Sequence, residues 1–204
     1  MLRAQGAEAP ETPRSATILT HPESRPQGIA SPSPKDSNTH SLGRLPHPHK
    51  LIIAGNHDLP WYRRPRYARL WLHHARYLQD SGAEVLGFKV WGSPWQPDFA
   101  QWAFYQERDS PKLAYIWEKI PDDTQILITH VPPAGIMDFM TEDGPSGCTQ
   151  LLARISELRH LKLHIFGHVH GGYGRLERAG TIFVNAAICD DSYRPIRSPI
   201  EILL

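Results

Sequence analysis

Gly55-Asn56-His57-Asp58 and Gly167-His168-Val169-His170 are the two runs in which side chains able to bind a metal or move a proton follow directly on a flexible glycine. Asn56 offers a neutral carbonyl oxygen that can ligate a cation without neutralising it. His57 beside it is placed to hand a proton to a leaving alkoxide, and Asp58 could hold the imidazolium form and raise its pKa. In the second run, His168 and His170 would point the same way if the chain stays extended past Phe166, because strand side chains alternate with period two. Two imidazoles so placed can bind one metal ion or two adjacent ones. His130 closes a third run, Ile126-Leu127-Ile128-Thr129-His130. Taken singly, each has a plainer role: a turn, a surface loop, a core histidine. The joint pattern decides, since three apolar runs each deliver a histidine at their carboxyl end, where ligand sites of open α/β sheets gather.

The elements that would position them are legible as apolar runs. Leu51 to Ala54 is a short continuous strand of the kind buried on both faces. Arg66 to Gln79 reads as a helix with Tyr67, Leu70, Trp71, His74 and Leu78 on one stripe. Glu84 to Gly92 suggests two strands about a glycine turn, followed by a rigid loop at Ser93-Pro94-Trp95-Gln96-Pro97. Helices are expected over Pro111 to Ile120 and Thr149 to Leu161, and strands over Gln125 to Thr129, Leu163 to Phe166, Thr181 to Asn185 and Ile200 to Leu204. Strands alternating with helices, then paired strands, argue for a layered α/β domain. Trp91, Trp95, Trp102 and Tyr105 could form a base-stacking platform, although aromatics mostly serve core packing.

Composition sets the outer bounds. A chain of 204 residues can form one domain with a real core. Residues 1–41 are rich in Pro, Ser, Ala and charge without apolar periodicity, which predicts disorder; residues 42–204 read as the folded domain. A net charge of +1 gives no electrostatic case for nucleic acid or an anionic membrane surface. Cys148 and Cys189 follow no metal spacing and are expected to be reduced core thiols in a cytoplasmic protein. No apolar run is long enough to span a bilayer.

Gly55-Asn56-His57-Asp58, His130 and Gly167-His168-Val169-His170 together resemble the second half of the signature of calcineurin-like metallophosphoesterases. The runs Leu45-Pro46-His47-Pro48-His49-Lys50, Tyr77-Leu78-Gln79-Asp80, Gly92 to Pro97 and Val184-Asn185-Ala186 narrow the likeness to the metallophosphoesterase domain-containing subfamily. The resemblance implies a four-layer sandwich of two mixed sheets flanked by helices. It also implies a site with divalent metals (Mn, Fe or Zn) whose hydroxide attacks a phosphoester. By position, Asn56, His130 and His168 would be ligands of the second metal, His170 a ligand of the first, and His57 the general acid. The family's opening strand, ending in Asp-x-His, and the following bridging Gly-Asp have no counterpart ahead of Ser41. Asn38-Thr39-His40 only mimics the first. The domain is therefore expected to lack its first strands, and the ligand set to be neutral and suited to one metal rather than a competent pair. The implied activity is hydrolysis of a small phosphoester or nucleotide. The alternative is an inactive relative that binds a metal, a nucleotide or a protein.

Overall fold

A computed structural model describes residues 15–18, 39–66, 70, 72–97, 102–140 and 144–204. In chain order the elements are β1 (Ser15–Ile18), α1 (Thr39–Arg44), β2 (Leu51–Ile52), α2 (Leu59–Arg63), β3 (Arg76–Tyr77), β4 (Ser81–Val85), β5 (Phe88–Ser93), β6 (Gln96–Pro97) and β7 (Tyr105–Gln106). They continue with α3 (Pro111–Glu118), β8 (Ile126–Thr129), β9 (Phe139–Met140), β10 (Gly144–Pro145), α4 (Thr149–Glu157), β11 (Leu163–Phe166), a 3-10 turn (His170–Gly172), β12 (Gly174–Arg178), β13 (Thr181–Asn185) and β14 (Ile200–Leu203).

The central sheet has six strands in the order β12-β13-β11-β8-β5-β4. Its inner strands β5, β8, β11 and β13 run parallel, while β4 and β12 return antiparallel at the two edges. Both edge hairpins close through a pair of left-handed residues, Leu86 (φ 52°) with Gly87 (φ 80°) and Ala179 (φ 51°) with Gly180 (φ 78°). That two-residue turn matches the twist of the flanking strands, and the glycine takes its second position without Cβ strain. The crossovers from β5 to β8 and from β8 to β11 carry α3 and α4. Ser110 caps α3 by accepting the Leu113 N–H at 3.3 Å, with Pro111 at the first helical position.

Alternation along the inner strands separates two cores. On one face, Leu127, Phe166 and Phe183 pack against Leu113, Ile116 and Trp117 of α3 and Leu151 and Ile155 of α4. On the other, Val90, Ile126, Leu163, Ile165 and Val184 meet Ile202 of β14, with Leu51 and Ile53 packed alongside. This second layer is built from short pairs, β2 parallel to β3 and β1 antiparallel to β14. Leu42 of α1 and Leu59 and Trp61 of α2 join Ile52, Tyr77 and Phe104 in a third cluster outside it. The architecture is thus a mixed α/β fold with a multi-strand mixed sheet and flanking helices, its second sheet reduced to paired segments.

Several expectations need correction. The helix expected from Arg66 to Gln79 is not continuous: Pro65, Arg66 and Leu70 are helical, but Arg76–Tyr77 is strand β3. The register with β2 overrides the apolar stripe, since Arg76 N donates to Lys50 O and Leu78 N to Ile52 O, both at 2.8 Å. Ser93 and Gln96–Pro97 belong to strands rather than a loop. The helix from Thr149 stops at Glu157, because Leu158 leaves helical geometry (ψ 85°) and buries its side chain. Within residues 1–41, Ser15–Ile18 pairs with β14 and Thr39 opens a helix; most of that segment lies outside the described residues. Cys148 and Cys189 are buried and unbridged.

Candidate metal centre

Beyond β2 the chain turns sharply. The Asp58 N–H donates to Gly55 O (3.1 Å), and Asp58 Oδ2 accepts the Gly55 N–H (2.7 Å), closing the turn from both sides. Asp58 therefore shapes the loop from which Asn56 and His57 project. A Cβ at Gly55 would lie 2.7 Å from His130 Cε1, so only glycine lets the ring of His130 rest on this loop. The Asn56 N–H donates to His130 Nε2 at 3.2 Å, and Asn56 Oδ1 lies 2.9 Å from the same nitrogen. Asn56 is itself buried, at 7% exposure.

His130 follows β8, and its ring stands 4.8 Å from that of His168, tilted by 59°. Burial pushes the His130 pKa well below the usual imidazole value, helped by the neighbouring His168 and His57. Its neutral form is the one a metal requires. His168 is delivered differently from expectation. The chain does not stay extended past Phe166: Val169 N donates to Gly167 O at 2.7 Å, which makes His168 the centre of a γ-turn with φ 67°. Such turns are strained for an L residue. His168 and His170 consequently do not alternate along one strand. His170 opens the 3-10 turn, with Nδ1 3.8 Å from Asp191 Oδ1 and its ring 5.4 Å from that of Tyr193.

Asn185, fully buried at the end of β13, holds this loop in place. Its amide donates to Val169 O (2.8 Å) and Met137 O (3.3 Å), while its Oδ1 accepts the Ala187 N–H. Arg197 donates to the carbonyls of His170, Ala187 (3.1 Å) and Cys189 (2.9 Å) from the other side. His57 contacts Trp102 edge-on, with centroids 4.9 Å apart, because Ala103 N donates to Asn56 O at 2.9 Å. The four-aromatic platform does not assemble: Trp95 Nε1 is tied to Asp80 Oδ2, and Trp91 packs against the helix-side core. Tyr193, which the sequence did not single out, lies 6.2 Å from His57. Its only sequence signal is an Asp190–Arg194 turn that looks like any surface loop.

Asn56, His130, His168 and His57 are thus brought together, and His170 joins through Tyr193. Asn56 Oδ1 and the His130 and His168 imidazoles are of the donor types a divalent cation takes, and Asn56 Oδ1 and His130 Nε2 stand at hydrogen-bond distance, 2.9 Å. They do not fit two such cations. Among the described residues no three of His, Cys, Asp or Glu gather closely enough to hold a metal, so no carboxylate joins His130 and His168. Thr39 and His40 begin a helix instead of ending a strand, which removes the resemblance of Asn38-Thr39-His40 to a ligand run.

Comparisons with known proteins place the chain in a family. The family model described as Calcineurin-like phosphoesterase matches residues 33–172. Metallophosphoesterase domain-containing protein 1 of Homo sapiens is 37% identical over 185 residues, covering 79% of this chain and 56% of that protein. A UPF0046 protein of Caenorhabditis elegans is 33% identical over 178 residues, covering 78% and 63%. The chain spans a little over half the length of the curated relatives it matches. One crystal structure shares the fold with a TM-score of 0.54 at 23% identity, covering 74% of this chain and 65% of that one. The chain belongs to the calcineurin-like phosphoesterase family.

Proposed function

We propose that this protein is a metal-dependent phosphoester hydrolase whose site holds a single divalent cation through Asn56, His130 and His168. The carrying observation is the 2.9 Å approach of Asn56 Oδ1 to His130 Nε2, with the His168 ring 4.8 Å from that of His130. When bound, a Mn, Fe or Zn ion supplies Lewis acidity toward a phosphoryl oxygen and makes a water molecule acidic enough to act as nucleophile. His57 contributes the proton that the departing alkoxide needs. Asn56 is buried and His130 half-buried, which keeps both partly shielded from solvent. His170 lies beside Tyr193 and Asp191, where it would meet the substrate. Small phosphoesters and nucleotides, phosphodiesters included, are the substrate class. The free thiols of Cys148 and Cys189 suit the cytoplasm, and among the described residues no helix is long and apolar enough to cross a membrane.

A second reading, a one-cation binder without turnover, is favoured by the absence of any carboxylate joining His130 and His168 among the described residues. Elemental analysis after loading with manganese and zinc, followed by phosphodiester turnover, separates the two. About one equivalent of metal with turnover that falls roughly 10²–10⁴-fold in His57→Ala supports the hydrolase. One equivalent without turnover supports the binder. Absence of bound metal refutes both.

A further inference from the structure

His57 is met edge-on by two aromatic rings, Trp102 with its centroid at 4.9 Å and Tyr193 at 6.2 Å, with interplanar angles of 70° and 85°. Trp102 is half-buried next to Ala103 and Phe104 in the chain, whereas Tyr193 is 49% exposed and has φ 58°. Left-handed backbone costs an aromatic residue energy, and it persists only where the surroundings impose it. Here they do. The Asp190 carboxylate accepts the N–H groups of Ser192 and Arg194 and the Arg194 Nε–H, and Asp190 O accepts the Tyr193 N–H. Arg197 donates to the Cys189 and Ala187 carbonyls just ahead of that turn and to the His170 carbonyl. A tight, strained loop thus holds an exposed ring over His57 and, at 5.4 Å, over His170.

A proton donor must come within about 3 Å of the leaving oxygen. Whatever carbon skeleton is attached to that oxygen then reaches the faces and edges of these two rings. We propose that Tyr193 and Trp102 form the leaving-group subsite and select phosphoesters whose alcohol portion is a planar aromatic ring. This rests on His57 facing the leaving group, as in the function proposed above. Tyr193 is accordingly a specificity-determining residue, one that touches the organic half of the substrate rather than the phosphoryl half.

The test uses non-hydrolysable probes, so that recognition is read without turnover. Phenylphosphonate and cyclohexylphosphonate share a headgroup and a six-membered ring and differ in planarity and π-character. Calorimetric titration of the manganese-loaded full chain is expected to show roughly tenfold tighter binding of phenylphosphonate, the low end of what ring stacking supplies. That ratio should drop to within about twofold of unity in Tyr193→Leu and in Trp102→Leu, and survive in Tyr193→Phe. Equal affinities in the wild type, or a ratio retained in both Leu variants, overturn the proposal. Turnover of bis(4-nitrophenyl) phosphate is measured in parallel. A phenyl preference without turnover keeps the subsite and removes the hydrolase, whereas turnover without preference does the reverse. Failure of both phosphonates to bind, together with absence of turnover, overturns the two together.

Discussion

His164 is fully buried in β11, with its ring 5.0 Å from Phe166 and 5.9 Å from Phe183. The Thr129 hydroxyl donates to Val131 O at 2.7 Å, so its oxygen accepts from His164 Nε2–H at 2.8 Å. Nδ1 then carries a lone pair with no partner. Protonation would place a charged N–H in apolar surroundings, and burial accordingly lowers the pKa from 6.5 to about 3. The folded state therefore resists a proton that the unfolded state accepts. Stability from this group is fully present above the unfolded value of about 6.5 and is lost as pH falls toward 3. A shift of about 3.5 units corresponds to about 5 kcal/mol at the acid limit and about 2 kcal/mol at pH 5. His130, also depressed, adds a loss of the same sign. His164→Gln, whose amide can keep the bond to Thr129, isolates the contribution. Urea unfolding at pH 7.5 and pH 5 should show the wild type losing about 2 kcal/mol more than the variant. Equal losses in the two proteins would refute a buried neutral His164.

Other perturbations probe the site directly. Gly55→Ala forces a methyl group onto His130 Cε1 at 2.7 Å; it is expected to cost about 1–3 kcal/mol by overpacking and to weaken metal affinity more than tenfold in competitive chelator titration. Arg197→Met leaves the carbonyls of His170, Ala187 and Cys189 without their shared donor. A destabilisation of about 1–3 kcal/mol in chemical denaturation should follow, and a change below 0.5 kcal/mol would show that water replaces the guanidinium freely. Because no carboxylate joins His130 and His168 among the described residues, a cation held there as proposed would keep most of its charge. Inorganic phosphate should then raise manganese affinity by roughly tenfold, with the reciprocal effect on phosphate binding that linkage demands; independent binding of the two would count against a neutral ligand set.

The strands were legible wherever continuous apolar residues forced burial on both faces, as in Ile126 to Thr129 and Leu163 to Phe166. So were the helices whose apolar stripe matched a capping residue, Ser110 ahead of Pro111 being the clearest. Arg76 and Tyr77 were misread because their strand state comes from pairing with Leu51 and Ile52, a contact no local window contains. At the site, the three histidine-bearing strand ends were visible in advance. The left-handed turn at His168 was not, since nothing in Gly167-His168-Val169 distinguishes it from an extended run. Tyr193 was invisible for a related reason. Its proximity to His57 depends on carbonyls that Arg197 gathers from two separate stretches of chain, His170 and Ala187 to Cys189.

Each residue proposed to bind the cation lies at or beside a polar group that is bonded to another part of the fold. Thr129, beside His130, is joined to His164 on the adjacent strand, and Val169, beside His168, is joined to Asn185 on β13. Asn56 O takes a backbone bond from Ala103. Such groups are costly to bury unless satisfied, and once satisfied they fix a position more sharply than apolar packing does. Apolar contacts carry no directional requirement, whereas a hydrogen bond weakens steeply with distance and angle. Placing a polar bond next to each donor therefore transfers the registry of the central sheet to the metal centre. That accounts for Thr, His and Asn at positions where the surrounding core is otherwise Leu, Ile, Phe and Val.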